Sequence, residues 1–114
     1  MIVDDKPAFL EAAAALLRRE GLTVVGVAST SDDAVRKARE LLPDVVLVDI
    51  FLDGESGFDL ARRLTENSTG LAIVLISTHE EADFADLIAE TPAAGFVPKS
   101  ELSAQAIRKL VDGR

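Results

Sequence analysis

Four places in this sequence put chemically able side chains at the end of a short apolar run. Asp4 and Asp5 follow Met1-Ile2-Val3, Asp49 closes Val45-Val46-Leu47-Val48, Ser77 and Thr78 follow the run at 71–76, and Lys99 follows the run at 94–97. If those runs are neighbouring parallel strands, their carboxyl ends converge. Three carboxylates packed together repel, so one holds a proton or a cation neutralises them. With oxygen donors only, and no Cys in the chain, the fitting cation is hard: Mg2+ rather than Zn2+.

That cluster suits phosphoryl transfer, which depends on positioning and on neutralising charge at the phosphoryl oxygens. A carboxylate can be the nucleophile and form an aspartyl phosphate. A metal would then bridge the acids and one phosphoryl oxygen, Lys99 would neutralise another, and Ser77 could donate a hydrogen bond to a third. Each residue alone has an ordinary explanation. Asp4-Asp5 could be a turn and helix cap, Asp49 an acid ending a strand, Lys99 a solvated loop lysine, and Ser77-Thr78 strand-end hydroxyls. Their joint placement at four strand ends carries the functional reading.

The elements that must position them follow from periodicity. A helix is expected from near Pro7, with Phe9, Ala13, Leu16 and Leu17 on its inner face and Gly21 at its end. A strand is expected at 22–28. The next helix is capped by Ser31, carries Asp32 and Asp33 in its first turn, buries Ala34, Ala38, Leu41 and Leu42, and stops at Pro43. The run at 44–49 is continuously apolar, as in a strand covered on both sides. After a loop at 50–57 come a short helix with Leu60, Ala61 and Leu64, a strand at 71–76, and a helix burying Phe84, Leu87 and Ile88. A strand at 94–97 and a last helix, capped by Ser100 or Ser103 and burying Ala106, Ile107, Leu110 and Val111, complete the chain. Strict alternation of strand and helix predicts an α/β fold, a parallel sheet with helices on both faces. Ligands of such sheets bind beyond the carboxyl ends of the strands.

Composition narrows the function classes. The chain has 114 residues, fitting one domain over 1–114. Hydrophobic residues make up 48%, with five Phe and no Trp or Tyr, so the core is aliphatic. No apolar run reaches the roughly 20 residues of a membrane span. The lack of Cys suits the cytoplasm. A net charge of -8 repels phosphate backbones and argues against direct nucleic-acid binding. There is no G-x-x-x-x-G-K-[ST] or G-x-G-x-x-G phosphate loop. His79 has no second His or Cys to form a metal set, and Glu80, Glu81 and Asp83 read as a solvated first helical turn.

Ile2-Val3-Asp4-Asp5, Val46-Leu47-Val48-Asp49 with Gly57, Ile76-Ser77, and Gly95-Phe96-Val97-Pro98-Lys99 together resemble a response-regulator receiver domain of two-component signalling. The likeness runs over nearly the whole chain. The segments 49–57 and 95–102 look most like receivers of regulators with a LuxR-type helix-turn-helix. The resemblance implies a flavodoxin-like sandwich with five strands in the order 2-1-3-4-5; that order is a general property of the fold type. It implies Asp49 as phosphoacceptor, Asp5 as a direct Mg2+ ligand, Asp4 acting through water, and the Phe51 main-chain carbonyl as a further ligand. Ser77 and Lys99 match the family's Ser/Thr and lysine, and Phe96 its aromatic switch position. Phe51 and His79 occupy variable positions flanking the phosphorylation site.

The implied function is a Mg2+-dependent switch phosphorylated by a sensor histidine kinase, with no turnover of a substrate. A homodimer is compatible with it. No DNA-binding domain is present, so the chain reads as either a fragment of a longer regulator or a stand-alone receiver. Asp53 stands where the family usually has Pro, and the first strand is short. Two other readings compete with it: a binding module of the same fold that works without phosphorylation, and a haloacid dehalogenase-type phosphatase. The latter needs an acid two residues after the nucleophile, where this chain has Phe51.

Overall fold

The computed structural model describes residues 1–67, 70–78 and 81–112. Its elements run β1 (Ile2–Val3), α1 (Pro7–Arg19), β2 (Val27–Ala28), α2 (Ser31–Leu41), β3 (Val45–Asp49), β4 (Phe51–Leu52), β5 (Glu55–Ser56), α3 (Gly57–Asn67) and β6 (Ala72–Ser77). A 3-10 turn (Glu81–Phe84) leads into α4 (Ala85–Glu90), followed by β7 (Gly95–Pro98), a 3-10 turn (Lys99–Glu101) and α5 (Ala104–Asp112). The main sheet is parallel, in the order β2-β1-β3-β6-β7. Counted without the small hairpin β4-β5, that is the expected 2-1-3-4-5.

The continuous apolar runs are buried because both sheet faces are covered. Along β3, Val46 and Val48 point into one cluster with Ala34, Ala38, Leu60, Leu64 and Phe96, from α2, α3 and β7. Leu47 points the other way, among Leu10, Ala14, Leu17 and Ile107 from α1 and α5. Alternation survives in direction though not in polarity.

Several expectations need correction. The strand expected at 22–28 is a ladder only at Val27–Ala28, because β1 offers only Ile2 and Val3 to pair with it. The loop at 50–57 contains the antiparallel pair β4-β5, with Phe51 opposite Ser56. Helix α2 is capped by Thr30, whose Oγ1 accepts from the Asp33 amide at 3.1 Å; Ser31 is already helical and buried. Of the two candidates for α5, Ser103 fits, its Oγ accepting from the Ala106 amide at 3.0 Å, while Ser100 lies in the preceding 3-10 turn.

Helix faces are also rotated. Helix α1 buries Leu10 and Ala14 beside Ala13 and Leu17, with Phe9 and Leu16 only partly covered. Helix α2 buries Val35, while Leu41 and Leu42 are exposed; Leu42 takes the left-handed C-cap with φ 49°. In α4, Leu87 faces solvent and only Ile88, with Phe84 before it, packs on the core. Helix α5 buries Ala104 and Ile107, with Ala106, Leu110 and Val111 partly covered.

Candidate functional site

Parallel pairing brings the chemistry together. Val3 pairs with Val48, and Asp49 pairs with Ile76, so Asp4 just past β1, Asp49 closing β3 and Ser77 closing β6 share one edge of the sheet. Ser77 pairs with Pro98, which sets Lys99 one residue past that register. Carboxylate oxygens of Asp4, Asp5 and Asp49 lie within 4.8 Å of one another. Lys99 Nζ lies 2.6 Å from Asp4 Oδ2 and 3.1 Å from Asp49 Oδ2.

Local structure holds each group. Asp4 is fully buried, and its Oδ1 accepts from the Lys6 amide at 2.8 Å at the start of α1. The other oxygen of Asp4 has the Lys99 ion contact. Asp49 Oδ1 accepts from the Phe51 amide at 3.1 Å, and Oδ2 accepts from Lys99. Burial pushes the Asp49 carboxyl above the usual carboxylate range, against the Phe51 amide and the Lys99 ammonium, which pull it down. Burial alone would lower the Lys99 pKa. Its bond to Asp4 and the Asp49 charge outweigh that, so the pKa is raised and the ammonium stays charged.

Three carboxylates against the one buried ammonium, Lys99, leave two formal negative charges that only the exposed Lys6 partly offsets. Asp5 Oδ1 is buried without a hydrogen-bond partner among the described residues; its nearest cation is Lys6 Nζ at 3.9 Å. A buried, unsatisfied carboxylate oxygen in an excess of negative charge is costly, and an oxygen-ligated divalent cation would relieve both terms. The residues present therefore fit a hard divalent ion. Asp4, Asp5 and Asp49 would hold it.

The other expected residues stand around this centre. Ser77 is buried at the end of β6, and Thr78 beside it is exposed. Phe96 is buried in β7, in the cluster that contains Val48 and Leu75. Phe51 is half exposed, its ring meeting Phe84 edge-on at 5.3 Å. His79 and Glu80 lie outside the described residues.

Two functional positions lacked an assigned role in the sequence. A Cβ on Gly57 would press into the Asp49 carbonyl oxygen and lie 2.7 Å from Ile50 Cα, so only glycine lets α3 start against the backbone that carries Asp49. Its place in the motif was visible, but the reason is a backbone approach that spacing cannot reveal. The second is Glu55, whose Oε1 accepts from the Ser31 amide at 3.0 Å and ties the hairpin to the start of α2. No sequence signal marks that bond.

A five-stranded parallel sheet with an acid-and-lysine cluster at its carboxyl edge is the architecture of receiver domains. The chain belongs to the response regulator receiver domain family, matching it over residues 1–112. It is 37% identical over 98 residues to the response regulator GacA of Pseudomonas aeruginosa, covering 83% of this chain and 46% of that protein. It is 31% identical over 101 residues to the virulence-factor transcription regulator BvgA of Bordetella pertussis, covering 89% of this chain and 48% of that protein. The crystal structure of a LuxR-family two-component response regulator from Aurantimonas superposes with a TM-score of 0.86 at 33% identity, covering 100% of this chain and 84% of that one. The chain thus spans about half the length of the curated relatives it matches. Among the described residues, no helix is long and apolar enough to cross a membrane.

Proposed function

We propose that this chain is a phosphoacceptor switch in which Asp49 takes a phosphoryl group from a sensor histidine kinase. The observation that carries it is the Asp49 carboxylate, held between the Lys99 ammonium and the Phe51 amide beside two further acids. An Asp49 oxygen attacks phosphorus, forming an acyl phosphate. The phosphorus–nitrogen bond to the donor imidazole breaks, its electron pair leaving with that nitrogen, which is then protonated from solvent. A Mg2+ ion held by Asp5 and Asp49, with the Phe51 carbonyl as a further ligand and Asp4 acting through water, would supply positive charge to the phosphoryl oxygens. The Phe51 amide fixes the carboxylate rotamer. Lys99 already touches the reacting carboxylate and can share charge with an incoming oxygen. The Ser77 hydroxyl supplies a hydrogen bond to another.

Loss of Asp49's negative charge and arrival of a phosphoryl dianion then bias a two-state equilibrium. Movement of Ser77 toward the phosphate frees room for Phe96 to reorient and changes the surface of α4, β7 and α5. Residues 1–114 act as one domain that promotes its own phosphorylation without turning over a substrate. The surface is read by a DNA-binding output domain, by a partner, or by a second copy in a homodimer, in the cytoplasm. The domain itself does not touch DNA. The likeness to LuxR-family and transcription regulators supports this direction.

The test is incubation with Mg2+ and acetyl phosphate, followed by intact mass. One phosphoryl group is gained, and Asp49→Asn gains none. A wild-type chain that gains no mass would refute the proposal in favour of a binding module. Continuous release of inorganic phosphate from a phosphomonoester would favour a phosphatase.

A further inference from the structure

Lys99 has a neighbour that the phosphoryl chemistry does not use. Its ammonium lies over the Phe9 ring, 4.2 Å from the ring centroid. We propose that Phe9 is a positioning residue, holding the Lys99 ammonium between Asp4 and Asp49 through a cation–π contact.

The ammonium has three donors and no acceptor. One donates to Asp49 Oδ2 at 3.1 Å, and the charge is paired with Asp4 Oδ2 at 2.6 Å. The side chain is only 7% exposed, so water does little to satisfy what remains. The ring face takes that place, attracting the cation through its quadrupole. Phe9 is set there by α1, two residues in from Pro7, and packs on the cluster with Leu10, Val97 and Leu102. A leucine would fill the same space without attracting charge.

The choice of an aromatic ring has a chemical consequence, which rests on the phosphoacceptor reading of Asp49 and Lys99. A third carboxylate or hydroxyl against the ammonium would compete with the arriving phosphoryl oxygens. A ring face is broad and has no lone-pair direction, so the ammonium can slide from Asp49 Oδ2 to a phosphoryl oxygen while remaining held. Without the ring, the shorter contact to Asp4 draws the ammonium away from the reacting oxygen.

The test replaces Phe9 with a series of fluorinated phenylalanines, which weaken the quadrupole stepwise and nearly preserve shape. Two quantities are read. One is the initial rate of Asp49 labelling by acetyl phosphate with Mg2+. The other is the proton shift of the Lys99 ε-methylene in metal-free protein, which a ring face moves upfield. The rate falls progressively with fluorination, by about fivefold at full fluorination. Phe9→Leu loses the upfield shift and a similar share of rate, and Phe9→Trp restores both. A flat fluorination series in a chain that still labels Asp49 overturns the positioning role alone. A wild-type chain that never labels refutes the phosphoacceptor reading. In that case the shift still decides the contact, since an unshifted ε-methylene in the wild type overturns it.

Discussion

Replacing Asp49 by Asn should stabilise the metal-free protein, although it removes a partner of Lys99. Asp49 has carboxylate neighbours in Asp4 and Asp5 within 4.8 Å and an ammonium neighbour at 3.1 Å. At an effective dielectric constant of about 20, one like-charge pair at 4.8 Å repels by about 3.5 kcal/mol, and the Lys99 pair attracts by about 5 kcal/mol. Solvent weakens the repulsion from the partly exposed Asp5, so the two repulsive pairs total about 5–7 kcal/mol. The Asp49 charge is thus unfavourable by about 0–2 kcal/mol before its own desolvation, which adds to the cost. The variant should gain about 1–3 kcal/mol, a rise in Tm of about 4–12 °C.

The pH dependence follows from the raised Asp49 pKa, whose largest cause is burial. A folded pKa above the ordinary 3.8 penalises the ionised form in the folded state. Relative to the variant, the wild type loses stability as pH rises from 3.8 through its folded pKa. The variant's advantage is therefore full at neutral pH and fades on acidification. Thermal unfolding of both proteins in EDTA and low salt, across acid to neutral pH, measures this. A variant that melts below the wild type at neutral pH would show that the Lys99 attraction outweighs the repulsion and that the site carries no excess of charge.

Three further outcomes are expected. Mg2+ at about 100 times its Kd should stabilise the protein by about 2.7 kcal/mol in thermal melts, and Asp5→Asn should lose most of that gain; a wild type indifferent to Mg2+ would count against the cation site. Gly57→Ala should cost about 1–3 kcal/mol in urea unfolding, because the new methyl meets Asp49 and Ile50 backbone rather than a flexible side chain; a neutral result would contradict the close approach. Phe51→Asn should speed loss of label from phosphorylated Asp49 by opening the site to water, timed by intact mass, and an unchanged half-life would remove the shielding role of the ring.

The strands were legible because a central parallel strand carries its signature along its own length. Val45 to Val48 is apolar at every position, and an acid follows where the run ends. The meeting of Asp4, Asp5, Asp49 and Lys99 was legible because parallel strands put equivalent ends side by side. Helix faces were read less well. Apolar residues fill more positions of α1 and α2 than one face can bury, so Leu41 and Leu42 fit the period and still ended in solvent.

What the sequence determined by itself is the alternation of elements, the aliphatic core and the set of charged groups at the sheet's edge, since each depends on residue type and local spacing. Only the tertiary structure decided the extent of β2, the hairpin after Asp49, the need for glycine at position 57 and the ring beneath Lys99. All of these depend on which atoms approach each other in space, which residue type and spacing do not state. A ladder exists only where a partner strand lies opposite, and Phe9 meets Lys99 only because α1 and the end of β7 flank the same carboxylates.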